Sequence, residues 1–192
     1  MKKILIIDAH PNNESYCSSL STLYEEQATN SGHEVKKLAF REMKFDLNLH
    51  EGYKNLPPLE SDLILAQDMI SWCNHLVIVY PNWWSSMPAL LKGFFDRCFL
   101  PGFAFQYQKD NPLWEKLLSE KSARIIVTSD SPHWYNKIIH LNSPIRIVKN
   151  RILKFNGFNP VRVTPLGGVR SSTEKKRTKW NKKIKSLGEK GL

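Results

Sequence analysis

Short unbroken apolar runs alternate along the chain with longer stretches in which apolar residues recur every three or four positions. The first rhythm is that of a strand covered on both faces, the second that of a helix with one buried face. "KKILIIDAH" (residues 2–10) opens the series as a strand. The turn "PNNES" follows, then a helix from Ser15 to about Gly32, where "ATNSG" carries the stop signals. A second strand falls at residues 33–40. Residues 41–58 have little periodicity and end in two adjacent prolines, so they read as an excursion. A helix over 59–73 leads into the strand "HLVIVYP" (75–81). The helix over 87–99 tolerates Pro88 in its first turn and has Leu91, Phe94 and Phe95 available for burial. A strand "ARIIVTS" (123–129), a helix over 136–157 broken near Pro144, a strand over 158–167 and a terminal helix over about 173–188 complete the pattern.

Each parallel crossover needs a helix, and right-handed crossovers put helices on both faces, so this alternation implies an α/β fold with a parallel sheet. Residues 1–192 are read as one domain. Ligands in such sheets lie beyond the carboxyl ends of the strands. Here those ends are residues 8–15, 80–87, 128–135 and 164–170, and each runs into turn chemistry. Neither a G-x-G-x-x-G fingerprint nor a G-x-x-x-x-G-K-[ST] loop occurs, which removes the main support for a Rossmann or nucleotide-triphosphatase reading.

Composition narrows the classes further. A hydrophobic fraction of 41% with 11% aromatics describes a folded chain rather than a disordered one. No apolar run approaches the roughly 18 residues of a membrane helix, and the opening strand is too short, and too soon interrupted by Asp8, for a signal peptide. The expectation is a cytoplasmic, not membrane-spanning protein. Cys17, Cys73 and Cys98 show no disulfide or metal spacing, and the six histidines contain no H-E-x-x-H, so no metal site is expected. Of the net charge of +10, residues 170–190 supply seven, with nine Lys or Arg against Glu174 and Glu189. That concentration reads as a solvated face of the last helix, anchored by Trp180, and argues against specific nucleic-acid binding. Asp96 and Arg97 read as helix-surface or interface residues.

Two strand ends carry candidate chemistry. His10, Asn12, Ser15 and the backbone of Tyr16 and Cys17 stand where a strand hands over to a helix, where exposed N–H groups suit a phosphate. The same residues equally suit a purely local helix cap. "PNWWSSMP" (81–88) ends the central strand, and Asn82, Trp83, Trp84 and Ser85 can support a planar conjugated ring; the alternative is a packing plug or subunit contact.

The string "YPNWWSSMPALLKGFFDRCFLPGFAF" (80–105) resembles the signature of the NAD(P)H quinone oxidoreductases of the flavodoxin-like fold. The "AHP" turn (9–11), "TPLGG" in the last strand and the element order extend a weaker likeness over most of the chain. The resemblance implies a flavodoxin-like three-layer sandwich whose five-stranded parallel sheet has the order 2-1-3-4-5. It implies a flavoenzyme that takes hydride from NADPH or NADH and passes two electrons to a quinone or other aromatic acceptor. His10, Ser15, Tyr16 and Cys17 then line the flavin phosphate side, and Pro81, Asn82, Trp83, Trp84 and Ser85 follow the ring. Phe103 and Phe105 match residues near the pocket and dimer boundary, with core packing as their alternative. FMN is preferred over FAD because the phosphate turn is clear and the chain compact, and a homodimer is expected through the helix from Met87 and "PGFAF". A flavin-binding regulatory module for a protein or transporter partner is the other class to weigh.

One strand end departs from that pattern. Many relatives carry "TTGG" there, followed by a Tyr and then a His; this chain has "TSDSPHWYNKIIH" (128–140). Thr128 and Ser129 keep the hydroxyl chemistry, whereas Asp130 and Ser131 replace the glycines and oppose equally close backbone approach. Tyr135 and His140 match the later pair as candidate catalytic residues, with His133 as competitor.

Overall fold

The computed structural model describes residues 1–109, 111–139 and 141–192. Seven strands and six α-helices are found among them: β1 (Lys3–Asp8), α1 (Tyr16–Asn30), β2 (Glu34–Ala39), α2 (Ser61–Trp72), β3 (His75–Pro81), α3 (Ala89–Cys98), β4 (Phe105–Gln108), β5 (Asn111–Lys116), β6 (Ser122–Ser129), α4 (His133–Ile138), α5 (Ser143–Arg146), β7 (Val161–Gly167) and α6 (Glu174–Glu189). A π-helical segment, Ile147–Leu153, continues α5. Five strands pair in the order β2-β1-β3-β6-β7, all parallel. Ranked among themselves they stand 2-1-3-4-5, the expected order; the labels shift only because β4 and β5 form a separate antiparallel pair.

Side-chain alternation along the strands makes the three layers. In β1, Leu5 and Ile7 face one side with Leu76, Ile78, Ile125 and Val127, under Leu63 and Ile70 of α2 and Leu91 and Phe94 of α3. Ile4 and Ile6 face the other side with Val77, Val79 and Ile126, under Leu20 and Tyr24 of α1 and Ile184 of α6. Both sets are fully buried, which is why these strands read as unbroken apolar runs. A β-carbon on Gly188 of α6 would come within 2.6 Å of Tyr24 O, so this glycine lets α6 lie directly on α1.

Two elements differ from the sequence expectation. The β4–β5 hairpin has mostly exposed strands and no local apolar rhythm; it is fixed instead by Trp114, stacked 4.2 Å from Phe155 and donating Nε1–H to Phe155 O. The helix expected over 136–157 starts at His133 and breaks at Leu141 and Asn142, both left-handed, after which Pro144 enters the first turn of α5. Arg97 is also not a surface residue. It is 2% exposed, donates to Asp46 O at 2.7 Å and pairs with Glu60 at 2.8 Å, and thereby ties the excursion over 41–58 to α3.

At the opposite edge of the sheet from the candidate chemistry, His75 is buried, with Nδ1 2.7 Å from Ser122 Oγ. Burial, followed by the positive charges of Lys2, Arg124 and Arg162, pushes its pKa down to about 3. Above pH 6.5 the imidazole is neutral folded or unfolded. Below that, the unfolded chain takes a proton that the folded chain refuses, so stability present above pH 6.5 is lost as pH falls toward 3, by up to about 1.4 kcal/mol per pH unit. Urea midpoints of the wild type should therefore fall relative to those of His75→Gln between pH 6.5 and 5; parallel curves would refute the assignment.

Candidate functional site

Register sets the site. Asp8 lies opposite Val79, and Pro81 opposite Thr128, so the ends of β1, β3 and β6 stand in one row. Ala9 N–H donates to Val79 O at 2.9 Å and Asn82 N–H to Thr128 O at 2.7 Å, which carries the pairing one residue into each turn.

In the first turn the side chains chiefly hold the turn itself. Ser15 caps α1 by accepting from Ser18 N–H at 3.1 Å, and Ser18 Oγ donates to Asn12 O at 3.1 Å. Asn12 Oδ1 accepts from Glu14 N–H, and Asn12 N–H donates to His10 Nδ1. What the turn offers outward is the backbone N–H of Tyr16 and Cys17, which the first turn of a helix leaves without an intrahelical acceptor. The Tyr16 hydroxyl donates to Asn181 Oδ1 at 3.0 Å, and the Arg177 guanidinium of α6 sits 5.3 Å from the Tyr16 ring. Positive charge thus stands beside the helix start, where the peptide dipoles already favour an anion. Behind the turn, fully buried Asp8 pairs with Arg41 at 2.7 Å, tying the ends of β1 and β2 together.

Cys17 Sγ lies 3.1 Å from Thr128 Oγ1, so α1 and β6 meet through two small polar groups. Burial pushes the Cys17 thiol up to about 12, against a smaller opposing effect of the Thr128 hydrogen bond. The sulfur stays protonated near neutrality and supplies contact, not nucleophilicity.

The aromatic turn is a two-residue reversal. Trp83 and Ser86 exchange N–H···O bonds of 3.0 and 2.9 Å, while Trp84 and Ser85 hold φ of 50° and 55°. Left-handed backbone at two consecutive non-glycine residues costs on the order of 1–3 kcal/mol each. The outcome is that Trp84 is 101% exposed and Trp83 45% exposed, with Trp83 meeting His10 edge-on at 5.5 Å. Neither indole plugs the core. Pro81 is buried at the strand end, and Ser85 O accepts from Ser143 Oγ at 3.3 Å.

Beside this turn is a small, partly open cavity of about 20 Å³ lined by Asn82, Ser129, His133, Asn142 and Gly167, among others. The side-chain oxygens of Asn82 and Asn142 are buried and, among the described residues, have no hydrogen-bond partner. His133 reaches this wall because α4 starts three residues earlier than expected; Tyr135 points its ring edge-on to Trp134 at 5.9 Å and does not line the cavity. His140 lies outside the described residues. The 128–131 turn is closed by its own polar groups, with Ser131 N–H donating to Ser129 Oγ and Asp130 accepting from Arg170 N–H. Close backbone approach has moved to the neighbouring strand, where a β-carbon on Gly167 would lie 2.5 Å from His133 N. Phe103 and Phe105 lie away from this row: Phe103 packs on Phe99, and Phe105 on Tyr107 and Phe155.

The sequence pointed to the turns that meet here, but not to Asn142, Gly167 or the Asp8–Arg41 pair. "TPLGG" is the available signal for Gly167; Asn142 has none beyond lying two residues before Pro144. Together the row presents two N–H donors, an exposed indole face and unpartnered amide oxygens, a set that suits an anionic group joined to a planar polar ring.

Two outcomes follow. Gly167→Ala must displace the 131–133 turn and should cost about 1–3 kcal/mol of stability in urea titrations, with a changed near-ultraviolet signal from Trp134. All three cysteines are buried, so the native protein at pH 8 should resist thiol labelling until denaturant is added; rapid native labelling of Cys17 would contradict its environment.

A model of the flavodoxin-like fold family matches residues 2–189. The chain is 28% identical over 151 residues to a ribosyldihydronicotinamide dehydrogenase-like protein of Penicillium crustosum, covering 66% of this chain and 57% of that protein. It is 33% identical over 131 residues to an uncharacterized NAD(P)H oxidoreductase of Haemophilus influenzae, covering 66% of this chain and 64% of the other. These matches therefore span less than two thirds of either relative. Among solved structures, Smu.1420 from Streptococcus mutans superposes with a TM-score of 0.82 at 29% identity, over 97% of this chain and 98% of that one. With the family model spanning nearly its whole length and the sheet order it requires, this chain belongs to the flavodoxin-like fold family.

Proposed function

We propose that this chain is an NAD(P)H-dependent flavin oxidoreductase that passes two electrons to a quinone or related aromatic acceptor. The observation that carries the reading is the Trp83–Ser86 turn, which holds one indole fully in solvent, sets the other against His10 of the first turn and adjoins the unpartnered Asn82 oxygen. The names of the two sequence relatives support it.

FMN, preferred over FAD, would supply two-electron redox chemistry when bound, with NADPH or NADH as the hydride donor. The protein's part is binding and orientation. Tyr16 and Cys17 N–H would hold the phosphate, with His10 and Ser15 shaping the turn around it. Pro81, Asn82, Trp83, Trp84 and Ser85 support the ring, and Thr128 and Ser129 border its polar edge. Tyr135 and His140 are the candidates for donating or exchanging a proton at that edge, with His133, which lines the cavity, as their competitor. Residues 1–192 act as one domain, in a cytoplasmic homodimer formed through α3 and the 101–105 segment.

The visible spectrum of protein mixed with FMN or FAD, mass identification of the released ligand and an anaerobic NADPH titration test the proposal. Flavin absorbance that bleaches on NADPH addition and returns with a soluble quinone is expected. No flavin uptake would overturn it; bound flavin with negligible turnover would favour a regulatory module instead. Because Trp84 is wholly exposed, Trp84→Ala should leave urea stability within about 0.5 kcal/mol. It should weaken FMN retention by several-fold to about tenfold. Equal loss of both would assign the indole to packing.

A further inference from the structure

Charge is divided unevenly along this chain. Residues 131–173 contain seven Lys or Arg and no Asp or Glu. Residues 131–192 carry a net +13 and residues 1–130 a net −3. The fold keeps that charge on the elements around β7: α4 packs on this edge strand, the π-helical segment lies on one face of the sheet and α6 on the other.

Within this half, Trp134 and Ile138 of α4, with Ile139 and Leu141, form an exposed apolar ridge. Trp134, Ile138 and Leu141 are each 63% exposed, and Ile139 is 56% exposed. Two grooves that carry Lys or Arg and share His133 and Pro165 lie beside the ridge. One, of about 430 Å³, is lined by His133, Arg146, Lys149 and Lys154. The other, of about 350 Å³, is lined by His133, Trp134, Ser171, Lys176 and Trp180. Among the described residues, no carboxylate lines either groove.

We propose that α4 and the cationic grooves beside it form a docking surface for a membrane bearing anionic lipid headgroups. A ridge of Trp, Ile and Leu flanked by Lys and Arg is the pattern that seats a short helix in a bilayer interface. Apolar side chains enter the acyl boundary while the cations meet phosphates, and neither contribution suffices alone. A second copy is the poorer occupant, because a two-fold contact lays the same cations against one another. Nucleic acid would match the charge but leaves Ile138, Ile139 and Leu141 without a use. No helix among the described residues is long and apolar enough to cross a membrane, so the contact is peripheral. If the redox reading holds, docking also turns the His133 wall of the Asn82 cavity toward the lipid, which suits a lipophilic quinone; the surface itself does not depend on that reading.

Co-sedimentation of the full chain with phosphatidylcholine vesicles, with and without phosphatidylglycerol, tests this directly and without reference to flavin. Phosphatidylglycerol should raise binding at least about tenfold at low ionic strength, with loss on adding salt. The double variant Trp134→Ala, Ile138→Ala should lose about tenfold, and Lys149→Ala with Lys154→Ala about thirtyfold, each with an unchanged circular dichroism spectrum. Either variant reads alone should the other misfold. Equal binding to both vesicles, or none, would overturn the proposal. So would competition by a short oligonucleotide as effective as that by lipid. A Trp134/Ile138 variant that lowers oligomeric mass and keeps vesicle binding would assign the ridge to a second copy.

Discussion

Parallel pairing of β1 with β3 and of β3 with β6 is the constraint on which the other features rest. Because both faces of these strands are covered, alternate residues go to two separate cores, and a slip of one position would exchange Ile4 and Ile6 with Leu5 and Ile7. The same slip would part Asn82 N–H from Thr128 O and move Cys17 away from Thr128. The register that fills the cores is thus the register that assembles the site. Burial contributes the energy, at roughly 1.5–3 kcal/mol for each large apolar side chain removed from water, and the turns at the carboxyl edge inherit their relative positions from it.

That inheritance explains how the aromatic turn persists. Two left-handed residues side by side are unfavourable, and Trp84 gains nothing from packing. The turn is held from three directions instead: Asn82 is bonded to β6, Ser85 O accepts from Ser143, and Trp83 rests against His10. Strain supported in this way by neighbouring elements is found where a fold presents a side chain for use rather than for stability.

How far the sequence could be read follows the range of the forces involved. The five main strands, α1, α2, α3 and α6 were legible because burial on one or two faces writes a local period. The hairpin was not, since Trp114 finds its partner 41 residues later at Phe155. Arg97 reads in sequence as a helix-surface or interface residue because nothing nearby in sequence shows that Asp46 and Glu60 will close over it. In the site, the turns were visible from strand ends and composition. The pairing of Cys17 with Thr128 spans 111 residues and depends on register, which no local pattern records. The choice between His133 and Tyr135 as cavity wall turned on where α4 begins, a matter of three residues.

Electrostatics join the site to the rest of the surface. The cations of α6 do not only face solvent: Arg177 stands over Tyr16, and Lys176 donates to Gly167 O at 3.0 Å while lying 4.8 Å from the Trp180 ring. Trp180 in turn packs near Tyr16, so the basic helix is anchored at the start of α1. Positive charge held on a packed scaffold is oriented, unlike charge on a free tail, and its field adds to the dipole of α1 at the place where an anionic group would sit. The acid-free stretch around α4 extends this field along the β7 edge, whereas the first 130 residues carry a small negative balance. This field spans the side on which Trp180 and Arg177 meet Tyr16 and on which Lys176 and His133 border the grooves beside the cavity.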